Sequence, residues 1–291
     1  MKGIRRVLVL QHLEIEGPGL FEQFAKERDL KIEIIRLDNK NALPQTKKGD
    51  LILIMGGPMG VKDIGSDRYP WLKLERDFIK EELENERPII GVCLGAQLLA
   101  SAAGGDVEIL KYGSPPKALP DIGWSQIFIN KSNKDFKALF EDPFHVLHWH
   151  GDRILLPNKA VLIASSSRCK EQFFRIGNFA YGLQFHIETT EGMINKWIKE
   201  DKEFVLKGLG SNGQEILKEE NKKYITTFPK NIPYLSSWRL NPSSALYSPR
   251  RRGRPHPLLP RWGPAASATA APKVACVVLC VSRKVDFNSS F

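Results

Sequence analysis

Cysteine is scarce in this chain, with four in 291 residues, at positions 93, 169, 276 and 280. So few, so widely spaced, exclude a disulfide framework and point to a reducing, cytoplasmic setting. Long apolar runs are missing too. The first stops at His12 after residues 7–10, and 274–281 is far shorter than the ~20 residues that span a bilayer, so neither a signal peptide nor a membrane span is expected. No solenoid or propeller period recurs. Acidic residues all but vanish over 235–291, where nine Lys and Arg face the single acid Asp286, a local +8. The other 234 residues therefore carry only +2 of the net +10. The basic balance belongs to one segment, and charge spread over a folded face, as nucleic-acid binding would need, is not expected.

What is present is an alternation of short β-branched or Leu-rich runs with longer amphipathic segments, which predicts an α/β fold with a mostly parallel sheet flanked by helices. Strands are expected at 7–10, 31–37, 51–55 and 88–92. Helices are expected at 20–27 and 71–86, the second with Leu72, Phe78, Ile79 and Leu83 on one face. Between 105 and 181 the runs shorten, as in DIGWSQIFI, FHVLHW and AVLIASS, and predict a small antiparallel extension; 191–206 is helical again. Residues 1–234 are expected to form one domain. Residues 235–291, with seven prolines and an RRRGR cluster, are expected to be a basic, unpacked tail.

Three motifs carry chemistry. In PIIGVCLGAQLLA a buried strand runs into Cys93 and then a helix, with Gly91 and Gly95 spaced as in a nucleophile elbow. A cysteine there sits at a helix N-terminus, which favours the attacking thiolate; a small buried cysteine in a strand end fits the same residues. In YGLQFHIE the strand 181–185 delivers His186, and Glu188 two residues on shares its side, so a carboxylate can orient an imidazole that faces a thiol. The turn Gly56-Gly57-Pro58 follows strand LILIM. The N–H groups of Gly57 and Leu94 fit the donors an acyl-transfer site aims at a developing oxyanion.

Taken together, MGGPMG, GVCLGAQ and GLQFHIE, in this order and spacing, resemble the class I glutamine amidotransferases of the triad type, over about residues 4–207. The nearest resemblance is to stand-alone GMP synthase-like glutaminase domains, with DIGW at 121–124 and HWHGD at 148–152 as further marks. The resemblance implies a flavodoxin-like class I amidotransferase fold, with Cys93 as nucleophile, His186 as base and Glu188 as orienter. It also implies that Gln97, Trp149, His150, Gly151 and Asp152 line a glutamine pocket, and that the half-reaction needs no metal or organic cofactor. Ile187 departs from the proline many relatives carry between His and Glu; proline would fix φ there but supplies no chemistry.

The implied activity is hydrolysis of the glutamine side-chain amide, with ammonia passed to an unidentified acceptor by a separate ATP-using synthetase chain, since no glycine-rich phosphate loop is present. A γ-glutamyl peptidase is the alternative. Other readings are weaker. His145, His148, His150 and Asp152 suggest a metal, but only His148 and His150 share a strand face. Cys169 lacks an elbow and reads as packing, and Cys276 and Cys280 lack the partners of a zinc site. Arg252-Gly253-Arg254-Pro255 matches the core of a minor-groove AT-hook, a pattern short enough to arise by chance, so nucleic acid is not the expected partner.

Overall fold

A computed structural model describes residues 3–39, 42–130, 132–133 and 144–225; the basic segment at 235–291 lies outside the described residues. The predicted alternation is realised. Strands β1 (Arg6–Gln11), β2 (Lys31–Arg36), β3 (Asp50–Ile54) and β4 (Ile89–Val92) are followed by β5 (Asp106–Ile109), β6 (Lys111–Tyr112) and β7 (Lys117–Ala118). Then come β8 (Asp121–Ile129), β9 (Phe144–His150), β10 (Asp152–Leu155), β11 (Ala160–Ser166), β12 (Phe173–Ile176) and β13 (Ala180–Leu183). The helices are α1 (Leu20–Glu27), α2 (Trp71–Glu84), α3 (Leu94–Ala102), α4 (Glu191–Glu200), α5 (Lys202–Leu209) and α6 (Gly213–Tyr224).

Nine strands form one sheet in the order β2-β1-β3-β4-β13-β12-β11-β8-β9. The first five are mutually parallel, and β12, β11, β8 and β9 continue the sheet antiparallel. Two small antiparallel pairs, β5 with β10 and β6 with β7, stand beside it. The parallel strands read as unbroken apolar runs because both faces are covered. In β1, Val7 and Val9 join the α1 side of the core while Leu8 and Leu10 join the α2 and α3 side, as the two-residue period of a strand requires. A third apolar cluster seats α4, α5 and α6 on Ile122 and Leu147 of the antiparallel part. Among the described residues no helix is long and apolar enough to cross a membrane.

The structure corrects two boundaries and adds a helix. Strand β13 ends at Leu183, two residues before the predicted end, and the chain bends through Gln184 and Phe185 to His186, which makes an isolated bridge to Leu147. The helix expected over 191–206 is broken at Asp201 (φ −108°, ψ 45°) into α4 and α5. Helix α6 was not legible in the sequence. On α2, Leu72 and Ile79 are buried as predicted, but the same face also buries Glu75 and Glu82.

Candidate active site

The centre of the sheet ends in the elbow. β4 lies between β3 and β13, and at its carboxyl end Cys93 turns the chain with φ 51° and ψ −107° into α3. Positive φ in a non-glycine residue is costly and persists only where the surroundings enforce it. They do so here. The Cys93 N–H donates to the Leu183 carbonyl (2.8 Å), and its own carbonyl accepts from Gln97 N–H (3.1 Å) to start the helix. A Cβ on Gly91 would stand 2.4 Å from the Gly95 carbonyl oxygen, and one on Gly95 2.2 Å from that of Ile54. Only glycine lets strand and helix approach this closely.

Cys93 is 7% exposed. Its Sγ lies 3.7 Å from the Trp149 carbonyl oxygen and 3.8 Å from the Gln184 amide nitrogen. The His186 backbone N–H donates to Leu147 O (2.8 Å), and its ring is held from two sides, by Nδ1 donating to Glu188 Oε1 (2.7 Å) and by Trp197 packing edge-to-face at 4.9 Å. Among the described residues Nε2 has no well-aligned hydrogen bond, yet the Cys93 sulfur is close enough to stabilise the imidazolium. Burial pulls the His186 pKa down, but Glu188 and Cys93 outweigh it and hold it well above the usual imidazole range. Glu188 itself accepts from Ile187 N–H (3.0 Å) through its second oxygen.

Gly57 and Leu94 face the same space, and among the described residues no protein acceptor engages either N–H. The glycine turn is pinned from below by His12, whose Nδ1 meets the Gly56 carbonyl at 2.8 Å and whose Nε2 meets Glu75 at 2.9 Å. Both partners are acceptors, so both ring nitrogens carry protons. Burial disfavours that charge, but Glu75 and Gly56 prevail and the His12 pKa is raised.

Cys93, His186, Gly57, Leu94, Gln97, Trp149, His150, Gly151 and Asp152 all line one cavity of about 450 Å³; Glu188 stands behind His186. Gln97 reaches Gln184 (3.3 Å), and His150 Nδ1 donates to the Asp152 carbonyl (2.9 Å). Trp149 donates from Nε1 to Asp201 (2.9 Å) and stacks on Phe204. Sequence reasoning missed a second wall, built by Ile15 and Glu16 of the β1–α1 loop and by Trp197, Glu200, Asp201 and Phe204 of α4 and α5. Burial drives the Glu16 carboxyl up to about 7, with His186 and His12 opposing and Asp201 reinforcing the shift.

The histidines group differently from the expectation. Asp121, His148 and His150 bring ligand atoms within 4.8 Å of one another and are all buried; Asp152 is not among them, and His145 instead stacks on Tyr224. These three could hold a cation. Arg168 already lies 3.2 Å from Asp121 Oδ1, however, and supplies its counter-charge; burial takes His148 down to about 4 and lowers His150, which keeps both imidazoles neutral. Burial likewise pushes the Cys169 thiol up to about 12, in keeping with packing and not with attack.

Comparison with known proteins bears on this geometry. The family model "Glutamine amidotransferase class-I" matches residues 20–205. The chain is 31% identical over 198 residues to the glutamine amidotransferase-like protein YfeJ of Salmonella typhimurium, covering 65% of this chain and 80% of YfeJ. It is 31% identical over 181 residues to a glutamine-hydrolysing GMP synthase of Wigglesworthia glossinidia brevipalpis, covering 56% of this chain but only 31% of that protein. Over 109 residues it is 29% identical to γ-glutamyl peptidase 3 of Arabidopsis thaliana, 35% of this chain and 41% of the peptidase. A crystal structure of a Thermotoga maritima glutamine amidotransferase superposes with a TM-score of 0.65 at 31% identity, covering 76% of this chain and 92% of the other.

Proposed function

The chain belongs to the class I glutamine amidotransferases, enzymes of glutamine amide hydrolysis, and from that premise we propose that Cys93, His186 and Glu188 are its catalytic triad. One observation carries the assignment: the strained Cys93 elbow opens into the same cavity as an imidazole whose far nitrogen is fixed on Glu188 at 2.7 Å. In this reading the Cys93 thiolate attacks the side-chain carbonyl of glutamine, and the Gly57 and Leu94 N–H groups receive the oxyanion. The His186 imidazolium, kept available by Glu188, protonates the nitrogen as the C–N bond breaks, releasing ammonia. Water, deprotonated by the same histidine, cleaves the γ-glutamyl thioester to glutamate and restores the thiol. Gln97 and the 149–152 segment seat the amino-acid end of the substrate, and a cytoplasmic site of action fits this chemistry.

The resemblance to GMP synthase supports delivery of the ammonia to a separate ATP-using synthetase chain. A second reading is favoured by the similarity to a γ-glutamyl peptidase: the same attack on a γ-glutamyl peptide releases an amino acid in place of ammonia. Purified protein supplied with glutamine and, separately, with γ-glutamyl dipeptides distinguishes the two. Glutamate and ammonia from glutamine support the amidotransferase; turnover of the dipeptides alone supports the peptidase. Either activity is expected to vanish in Cys93→Ala.

A further inference from the structure

The Cys93 sulfur stands between an acceptor and a donor. On one side, at 3.7 Å, is the Trp149 carbonyl, which accepts the S–H of the neutral thiol. On the other, at 3.8 Å, is Nε2 of Gln184, an amide nitrogen that donates and so favours a charged sulfur. A carbonyl oxygen repels a thiolate, so the two neighbours pull the thiol proton in opposite senses. Since cysteine attacks as the thiolate, the donor is the contact that favours reaction.

The fold holds the Gln184 amide in the donating orientation. Its side chain is completely buried, and its Oε1 accepts from Gln97 Nε2 at 3.3 Å, which turns Nε2 of the same amide toward Cys93. A reversed amide would set N–H₂ against N–H₂ and oxygen against sulfur. Gln97 lies one turn beyond Cys93 in α3, and its backbone N–H donates to the Cys93 carbonyl (3.1 Å). The Gln184 backbone is fixed as well: its N–H donates to the Gln172 carbonyl (2.9 Å), and the carbonyl of Leu183 just before it accepts the Cys93 N–H (2.8 Å). The segment that leaves β13 thus brings both Gln184 and, two residues on, His186 to the sulfur.

Building on the triad reading, we propose that Gln184 is a further catalytic residue, whose amide N–H holds the Cys93 thiolate against the Trp149 carbonyl, and that Gln97 acts through it as a positioning residue that keeps the amide turned to the sulfur. The thiol proton goes to His186, and no bond to Gln184 forms or breaks. The titratable groups facing the sulfur are His186, with Glu188 behind it, and Glu16 from the β1–α1 loop. His12 stands beneath the glycine turn, and Asp152, Glu200 and Asp201 line the same cavity. Gln184 is neutral, so replacing it by another neutral side chain leaves all of these charges in place.

The test alkylates the full chain with iodoacetamide from about pH 5 to about pH 10 and follows the Cys93 peptide by mass spectrometry, which sets the other three cysteines aside. In Gln184→Met, similar in length but without the donor, the pH midpoint of Cys93 alkylation is expected to rise by about one unit. The rate should be down about tenfold on the acid side and within about twofold of wild type at the alkaline end, where the thiolate forms without help. A merely structural defect would lower the rate at every pH. Gln97→Met, which frees the Gln184 amide to turn, is expected to raise the midpoint by a smaller amount. An unmoved midpoint in Gln184→Met overturns the inference while leaving the triad intact, whereas glutamine turnover that persists in Cys93→Ala overturns the triad reading itself. If Gln184→Met does not fold, Gln97→Met decides: a raised midpoint upholds the inference and an unmoved one overturns it.

Discussion

At the scale of single residues, the site depends on how one imidazole is held. Glu188 fixes the Nδ1 proton and, with Cys93, keeps His186 protonated above its ordinary range against the pull of burial. Replacing Glu188 by Gln removes the charge but keeps the shape. The His186 pKa should then fall, so the alkaline limb of kcat/KM, where the imidazolium acid is lost, should move to lower pH, with kcat down about 10²-fold or more. A pH–rate series on wild type and Glu188→Gln checks this; an unmoved limb would exclude Glu188 as the orienting group. Ile187 supplies an N–H to Glu188 Oε2 that a proline at this position could not. The nucleophile, base and orienter were readable because their spacing is written in one strand end and one elbow. Glu16 was not, because an acid in a loop rich in glycine and proline has no period, and the cavity it lines is assembled from segments far apart in the chain.

At the scale of elements, close approach and buried charge position the site. Gly95→Ala drives a Cβ against the Ile54 carbonyl, which belongs to a central strand and cannot yield. A loss of about 1–3 kcal/mol is expected from overpacking, read as a lower urea midpoint. Gly192→Ala in α4 meets only Thr190 Oγ1 at 4.0 Å and serves as the contrast, neutral or stabilising by up to ~1 kcal/mol.

The His12–Glu75 pair ties α2 to the glycine turn. Glu75→Ala strands a buried imidazolium and should cost about 3–5 kcal/mol. Because the folded pKa of His12 is raised, the pair contributes fully below the ordinary imidazole pKa of about 6.5. The contribution is lost as pH rises through the higher folded value. Wild-type stability should therefore show a loss over that window that is reduced in Glu75→Ala, as urea unfolding at several pH values would reveal. The amphipathic period of α2 was legible, but its two buried glutamates were not, since their partners His12 and Thr46 lie on other elements. The break at Asp201 was hidden because the apolar spacing runs on across it.

At the scale of the whole molecule, one nine-stranded sheet carries every proposed catalytic group at or just beyond its strand ends. Its parallel half was evident from unbroken apolar runs. The antiparallel continuation was readable as strands but not as an order, because short runs bounded by turns do not state which neighbour they pair with. We propose that residues 1–234 form the catalytic unit and that the +8 segment at 235–291 takes no part in turnover. Deleting 235–291 should leave kcat/KM for glutamine within twofold; a large loss would give that segment a role.

The central claim, that a γ-glutamyl group passes through the thiol at the elbow, meets its most direct test in the purified full chain given glutamine, with glutamate and ammonia measured together for wild type and Cys93→Ala. Stoichiometric release of both by wild type and of neither by Cys93→Ala is the predicted result. Release that persists unchanged in Cys93→Ala would contradict it.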